Sequence, residues 1–154
     1  LTAFNALGFD CSKHMHALSN VRWGGRMEKL EIQNAPCSVY ASGDHNPQGV
    51  VSLLEILKYY PRQHLHLVVG IGKDKNAHVI LDMLTSLPDT HLYLTETPFK
   101  GLTLAQYGPW LQRAIYANEN PEEALRAALG AASTGDLVLV TGSLYLVGEI
   151  KKLF

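Results

Sequence analysis

The chain has 154 residues, 47% hydrophobic and 18% charged, with a formal net charge of -1. That is about one domain's worth of chain with enough apolar material for a core, and its balanced charge argues against nucleic acid or an anionic membrane as partner, since both favour a basic patch. Cys11 and Cys37 are too few for a disulfide framework and read as reduced thiols of a cytoplasmic protein, and no apolar run approaches the ~18 residues of a membrane span.

In chain order, residues 1–24 come first and do not share the rhythm of the rest. "LTAFNALGFDCSKHMHALSNVRW" reads as two short helices split at Gly8, with Ser12 capping the second. They are expected to be the tail of a preceding domain, followed by a boundary near Trp23 to Gly25. The chain starts at Leu1 rather than Met, which suggests a piece of a longer protein. Residues 27–32 read as an edge strand. From Cys37 onward, short apolar runs alternate with longer amphipathic ones. "CSVYA" (37–41), "LHLVV" (65–69), "HLYLT" (91–95), "AIYA" (114–117) and "LVLV" (137–140) are strand-like, bounded by Gly, Pro, Asn or Asp. Helices are expected over 47–59, with Val50, Val51, Leu54 and Leu57 at helical spacing, and over 75–86, with Val79, Ile80, Met83 and Leu84. A third covers 121–132, where Asn120 caps, Pro121 takes the first position and Glu122 and Glu123 fill the first turn. A last helix follows Ser143. This alternation predicts a doubly wound α/β domain over residues 25–154: a Rossmann-like, mostly parallel sheet of about six strands, one edge strand antiparallel, with helices on both faces.

Open parallel sheets bind ligands beyond the carboxyl ends of their strands, which singles out the turns "SGDHNP" (42–47), "GIGKDKN" (70–76) and "TGS" (141–143). Glycine lets a ligand approach the backbone there, and a helix N-terminus behind the first and third turns favours an anion. In the first turn Asn46 and Pro47 have a structural explanation as helix cap and first residue. His45 has no such explanation: its imidazole either reaches a ligand phosphate or bonds a nearby carbonyl. The second turn is neither a dinucleotide fingerprint, because Lys75 stands where a third Gly or Ala belongs, nor a P-loop, because Asp74 replaces the required Ser or Thr. No GxxxxGK[ST] occurs in the chain. The pairs His14/His16 and His64/His66 lack a neighbouring carboxylate or Cys cluster in the sequence, so packing and surface positions account for them and no metal ligand is assigned. Tyr93, Tyr107 and Trp110 read as packing residues.

In order, "VRWGGRMEKLEI", "SGDHNPQGVVSLLEIL", "VVGIGKDKN" and "DLVLVTGSLYLVGEIKK" resemble the carboxyl-terminal domain of the folylpolyglutamate synthase/dihydrofolate synthase family within the Mur ligase superfamily. The resemblance spans nearly the whole chain. It implies part of an ATP-dependent ligase that activates a folate or dihydropteroate carboxylate as an acyl phosphate, which the amine of L-glutamate then attacks. ATP and Mg2+ would serve the full-length parent, whose central domain carries the P-loop and magnesium ligands. The chain alone is expected to hold no cofactor, contribute no catalytic residue, and be inactive and monomeric. By the same resemblance, Arg26 contacts ATP phosphates from the hinge, Ser42, Asp44 and His45 belong to the nucleotide-facing turn, and Lys75 and Ser143 lie on the glutamate side.

Two departures stand out. The family's turn usually reads D-G-A-H-N-P, whereas here Ser42 replaces the acid and Asp44 the small residue. A bond to a charged acceptor is worth ~1.5–3 kcal/mol against ~0.5–1.5 for a neutral one, so the change costs about tenfold in nucleotide affinity unless Asp44 compensates. Gly24 also stands where the family has Pro. These departures keep two alternatives open: a non-catalytic binding module, or the same domain of a cell-wall Mur ligase.

Overall fold

Every residue of Leu65–Val69 and of Leu137–Thr141 is buried, which requires both strands to be covered on both faces. In the computed structural model, which describes residues 6–10, 12, 16 and 23–154, they lie side by side at the centre of one six-stranded sheet. The elements in chain order are β1 (Glu28–Leu30), β2 (Ser38–Ser42), α1 (Pro47–Leu57), β3 (Leu65–Val69), α2 (Ala77–Leu84) and β4 (Thr90–Thr95). They continue as a 3-10 turn (Leu104–Tyr107), α3 (Pro109–Arg113), β5 (Tyr116–Asn118), α4 (Pro121–Ala131), β6 (Leu137–Thr141) and α5 (Leu144–Lys151). Strand order is β1-β2-β6-β3-β4-β5. All pairings are parallel except β1 with β2, the antiparallel edge. The expected doubly wound sheet is present, antiparallel edge included.

Side-chain alternation along the strands divides the core in two. Leu65, Leu67, Val69, Leu137 and Leu139 face Val50, Leu53 and Leu57 of α1 and Ile80, Leu81 and Leu84 of α2. Val68, Val138 and Val140 face Ala124, Leu125 and Ala128 of α4 and Leu146, Val147 and Ile150 of α5. Each such Leu or Ile stabilises the fold by about 1.5–3 kcal/mol relative to exposure. The helix caps follow the sequence: Asn46 accepts from the Gly49 N–H, Asn120 from Glu122 and Ser143 from Tyr145.

Three expectations need adjusting. Val51 lies on the solvent side of α1, and the buried positions are Val50, Leu53 and Leu57. The strand expected at 114–117 runs instead over Tyr116–Asn118, because α3 claims Ala114 as its cap through the Ala114 N–H to Trp110 bond. The 3-10 turn and α3 themselves were not anticipated. His64 and His66 do have a carboxylate beside them. Parallel pairing of β3 with β6 brings Asp136 within 3.0 Å of His64 Nδ1 and 3.4 Å of His66 Nε2. Asp136 also accepts from the N–H groups of Ser133 and His64, while Tyr93 Oη lies 3.0 Å from His66 Nδ1. The His91 ring stacks on His64 and stands edge-on to His66. Among the described residues no group of three or more His, Cys, Asp or Glu fits a metal ion. His14 and most of the two helices expected within residues 1–24 lie outside the described residues.

Candidate functional site

The winding of the chain determines where a crevice opens. Leaving the sheet, β2 and β3 lead into α1 and α2 on one face, whereas β6, which lies between them, leads into α5 on the other. The three turns therefore part above the carboxyl ends of β2, β6 and β3, as expected at a topological switch point.

The turn after β6 passes through Gly142 at φ 99°, where an added Cβ would lie 2.8 Å from the Gly70 carbonyl oxygen. Only glycine meets both demands. Ser143 then caps α5, its Oγ accepting from the Tyr145 N–H at 3.1 Å. After β3 come Gly72, Asp74 and Lys75, with Lys75 Nζ 2.7 Å from Asp74 Oδ2. The Lys75 ammonium holds the Asp74 carboxyl below the ordinary carboxylate range. After β2, His45 Nδ1 lies 2.9 Å from the Gly43 carbonyl oxygen. In the neutral ring that nitrogen donates to the carbonyl, leaving Nε2 as an acceptor for another partner. The carbonyl bond considered from the sequence is thus made, and the ring still lines the crevice.

A fourth segment completes the wall. The Lys73 N–H donates to Lys100 and the Leu102 N–H to Ile71, while Gly72 and Gly101 form an antiparallel bridge. This tie brings Phe99 and Lys100 to the crevice, where the Phe99 ring lies 5.0 Å from that of Tyr145. The resulting cleft, about 470 Å³, is lined by residues that include His45, Asp74, Lys75, Phe99, Lys100, Ser143 and Tyr145, and its size suits a small ligand. Beneath it, Tyr107 Oη accepts from the Ile71 N–H at 2.9 Å and donates to the Thr95 carbonyl at 3.0 Å. It thereby fastens the ends of β3 and β4, and burial pushes its phenol far above the ordinary tyrosine range.

A second depression, about 320 Å³, lies beside the first and is lined by residues including Arg26, Ser42, Asp44 and Gly49. Arg26 Nη1 donates to Asp44 Oδ1 at 2.9 Å, Ser42 Oγ donates to Asp44 Oδ2 at 2.6 Å, and the Met27 N–H donates to Ser42 Oγ at 3.2 Å. The structure therefore brings the six residues singled out from the sequence into two groups. His45, Lys75 and Ser143 share the first cleft, and Arg26, Ser42 and Asp44 share the second. Sequence reasoning missed Phe99, Lys100 and Tyr145. The signal for the first two was "TPFKG" after a strand, another glycine-bearing exit at the carboxyl edge.

With this geometry in place, residues 25–144 match the family described as Mur ligase, glutamate ligase domain. The chain belongs to that family. It is 31% identical over 135 residues to a folylpolyglutamate synthase of Lacticaseibacillus casei, covering 88% of this chain and 30% of that protein. It is 30% identical over 126 residues to UDP-N-acetylmuramyl-tripeptide synthetase 2 of Oceanobacillus iheyensis, covering 77% of this chain and 25% of that one. Among solved structures it resembles a bifunctional folylpolyglutamate synthase/dihydrofolate synthase with Mn, AMPPNP and L-glutamate bound, at TM-score 0.76 and 25% identity over 87% of this chain and 32% of the other. The chain thus spans less than a third of the length of these relatives, and its fold is that of the folate-type ligases' carboxyl-terminal domain.

Proposed function

We propose that the chain is the glutamate-binding, nucleotide-closing domain of an ATP-dependent amide ligase that adds L-glutamate to dihydropteroate or a folate. The observation that carries this reading is the charge pattern of the larger cleft. Lys75, Lys100, His45 and the first-turn amides of α5 surround a single carboxylate, Asp74. A ligand with two carboxylates and one ammonium complements that set: the lysines and the helix N-terminus take the carboxylates, and Asp74 takes the ammonium. The Lys75–Asp74 pair is exposed, so opening it to admit glutamate costs little. His45 Nε2 keeps a lone pair with which to accept a hydrogen bond from the ligand.

ATP, accompanied by Mg2+ on the rest of the parent protein, supplies the phosphoryl group that activates the acceptor carboxylate. The residues here fit a supporting role toward it. Arg26 keeps guanidinium donors beyond the one given to Asp44, Ser42 and Asp44 line the same depression, and no P-loop is present in the chain. The domain alone is inactive and binds ATP weakly or not at all; micromolar affinity by calorimetry would contradict this. On the same reading the protein acts in the cytoplasm as a monomer. Joined to the remainder of its parent, it forms ADP when given glutamate, Mg2+ and dihydropteroate or a folate. Absence of ADP above a control lacking the acceptor would overturn the reading. The similarity to the tripeptide synthetase favours a second reading, a cell-wall ligase, in which ADP appears only with a UDP-muramyl peptide acceptor.

A further inference from the structure

Asp44 is buried, its side chain 9% exposed, and it meets the half-exposed Arg26 at 2.9 Å. Both of its oxygens are engaged, one by Arg26 and the other by the buried Ser42 hydroxyl. Its seat is shaped on the far side as well. A Cβ on Gly49 would lie 2.9 Å from Asp44 Oδ1, so the first turn of α1 leaves room for this carboxylate only because it carries no side chain there. The surrounding cations are matched too: Lys29 pairs with Glu31, and Lys151 with Glu28. The region around Arg26 is therefore neutral pair by pair, and its one buried acid is held by the fold rather than by a mobile side chain.

We propose that Asp44 is a resident anion that occupies Arg26 and sets the selectivity of this depression against free phosphates. An incoming phosphate meets a guanidinium whose charge is already cancelled at hydrogen-bond distance, and it approaches a fixed carboxylate of its own sign. Displacing Asp44 would strand a buried charge, which is the costlier outcome. Phosphate therefore binds at Arg26 only when cations from outside this chain join the site. This inference rests on the reading of Arg26 as a phosphate contact.

The test is calorimetric titration of the chain with inorganic tripolyphosphate. Asp44→Asn keeps the shape and the bond from Arg26 while removing the charge, the bond with Ser42 reversing so that the amide nitrogen donates, and it should raise affinity on the order of tenfold. Adding Arg26→Gln to that variant should cancel the gain. Glu31→Gln removes an exposed acid outside this depression and should not reproduce the gain, and this arm needs no substitution at Asp44. The proposal is overturned if Asp44→Asn binds no tighter, if its gain survives Arg26→Gln, or if Glu31→Gln gives the same gain. ADP formation by the longer protein is a separate readout, so a ligase reading that fails there is distinguishable from a resident anion that fails here.

Discussion

The two ends of the central sheet use similar side chains to opposite ends. At the amino end, Asp136, His66 and Tyr93 are buried and satisfy one another, and His64 and His91 close over them. At the carboxyl end of the same strands, His45, Asp74, Lys75 and Lys100 stand around a cleft, and the ion pair between Lys75 and Asp74 is exposed. The contrast shows that polarity beside a strand end does not itself mark a site. What separates the two ends is whether the polar groups use up each other's hydrogen-bonding capacity.

The amino end should therefore respond to mutation in stability, and the carboxyl end in binding. Asp136→Ala should have the largest effect. It strips the acceptor from the Ser133 and His64 N–H groups and from both imidazoles, costing about 3–5 kcal/mol in denaturant unfolding. Acid should attack the same cluster in two stages. Burial, with the neighbouring His91 and His64 charges, pushes the His66 imidazole below its ordinary 6.5 against the pull of Asp136. The unfolded chain then takes up a proton that the native state resists, so stability falls as pH drops below about 6.5. Asp136 is held down to about 2, first by the Ser133 N–H bond and then by the two histidines, so a second loss begins below about 3.8 and continues toward 2. Thermal melts across pH should show both stages, with the first diminished in His66→Gln. Tyr107→Phe, beneath the cleft at the carboxyl end, orphans the buried Ile71 N–H and should cost about 1–3 kcal/mol. Ser143→Ala loses the α5 cap, worth about 1 kcal/mol. Lys75→Ala should change stability by under about 0.5 kcal/mol yet remove the chemical-shift response of the Ser143 amide to L-glutamate. A melting temperature that moves more for Lys75→Ala than for Asp136→Ala would dissolve the distinction between the ends.

Local chemistry was legible in the sequence, and long-range pairing was less so. The caps at Asn46 and Asn120 could be read because a cap and its partner lie within three residues. The central strands could be read because burial on both faces leaves an unbroken apolar run. The partnership of His66 with Asp136 was hidden because it spans 70 residues and depends on β6 inserting beside β3, which no local pattern announces. Lys100 was hidden for a related reason: it reaches the cleft through a backbone tie to the turn after β3. For Ser42 and Asp44 the residue types were visible as oddities, but the bond between them, and that of Asp44 to Arg26, emerged only from the fold.

That backbone tie has a mechanical consequence. Residues 71–73 and 100–102 are laced into one short ribbon, and Tyr107 pins its base to the sheet. Lys75 lies two residues beyond one strand of the ribbon, and Lys100 sits on the other. The two ammonium groups are thus mounted on a common bracket rather than on independent loops. The spacing of the two segments that carry these lysines is thereby set by main-chain hydrogen bonds, so neither segment can shift without the other.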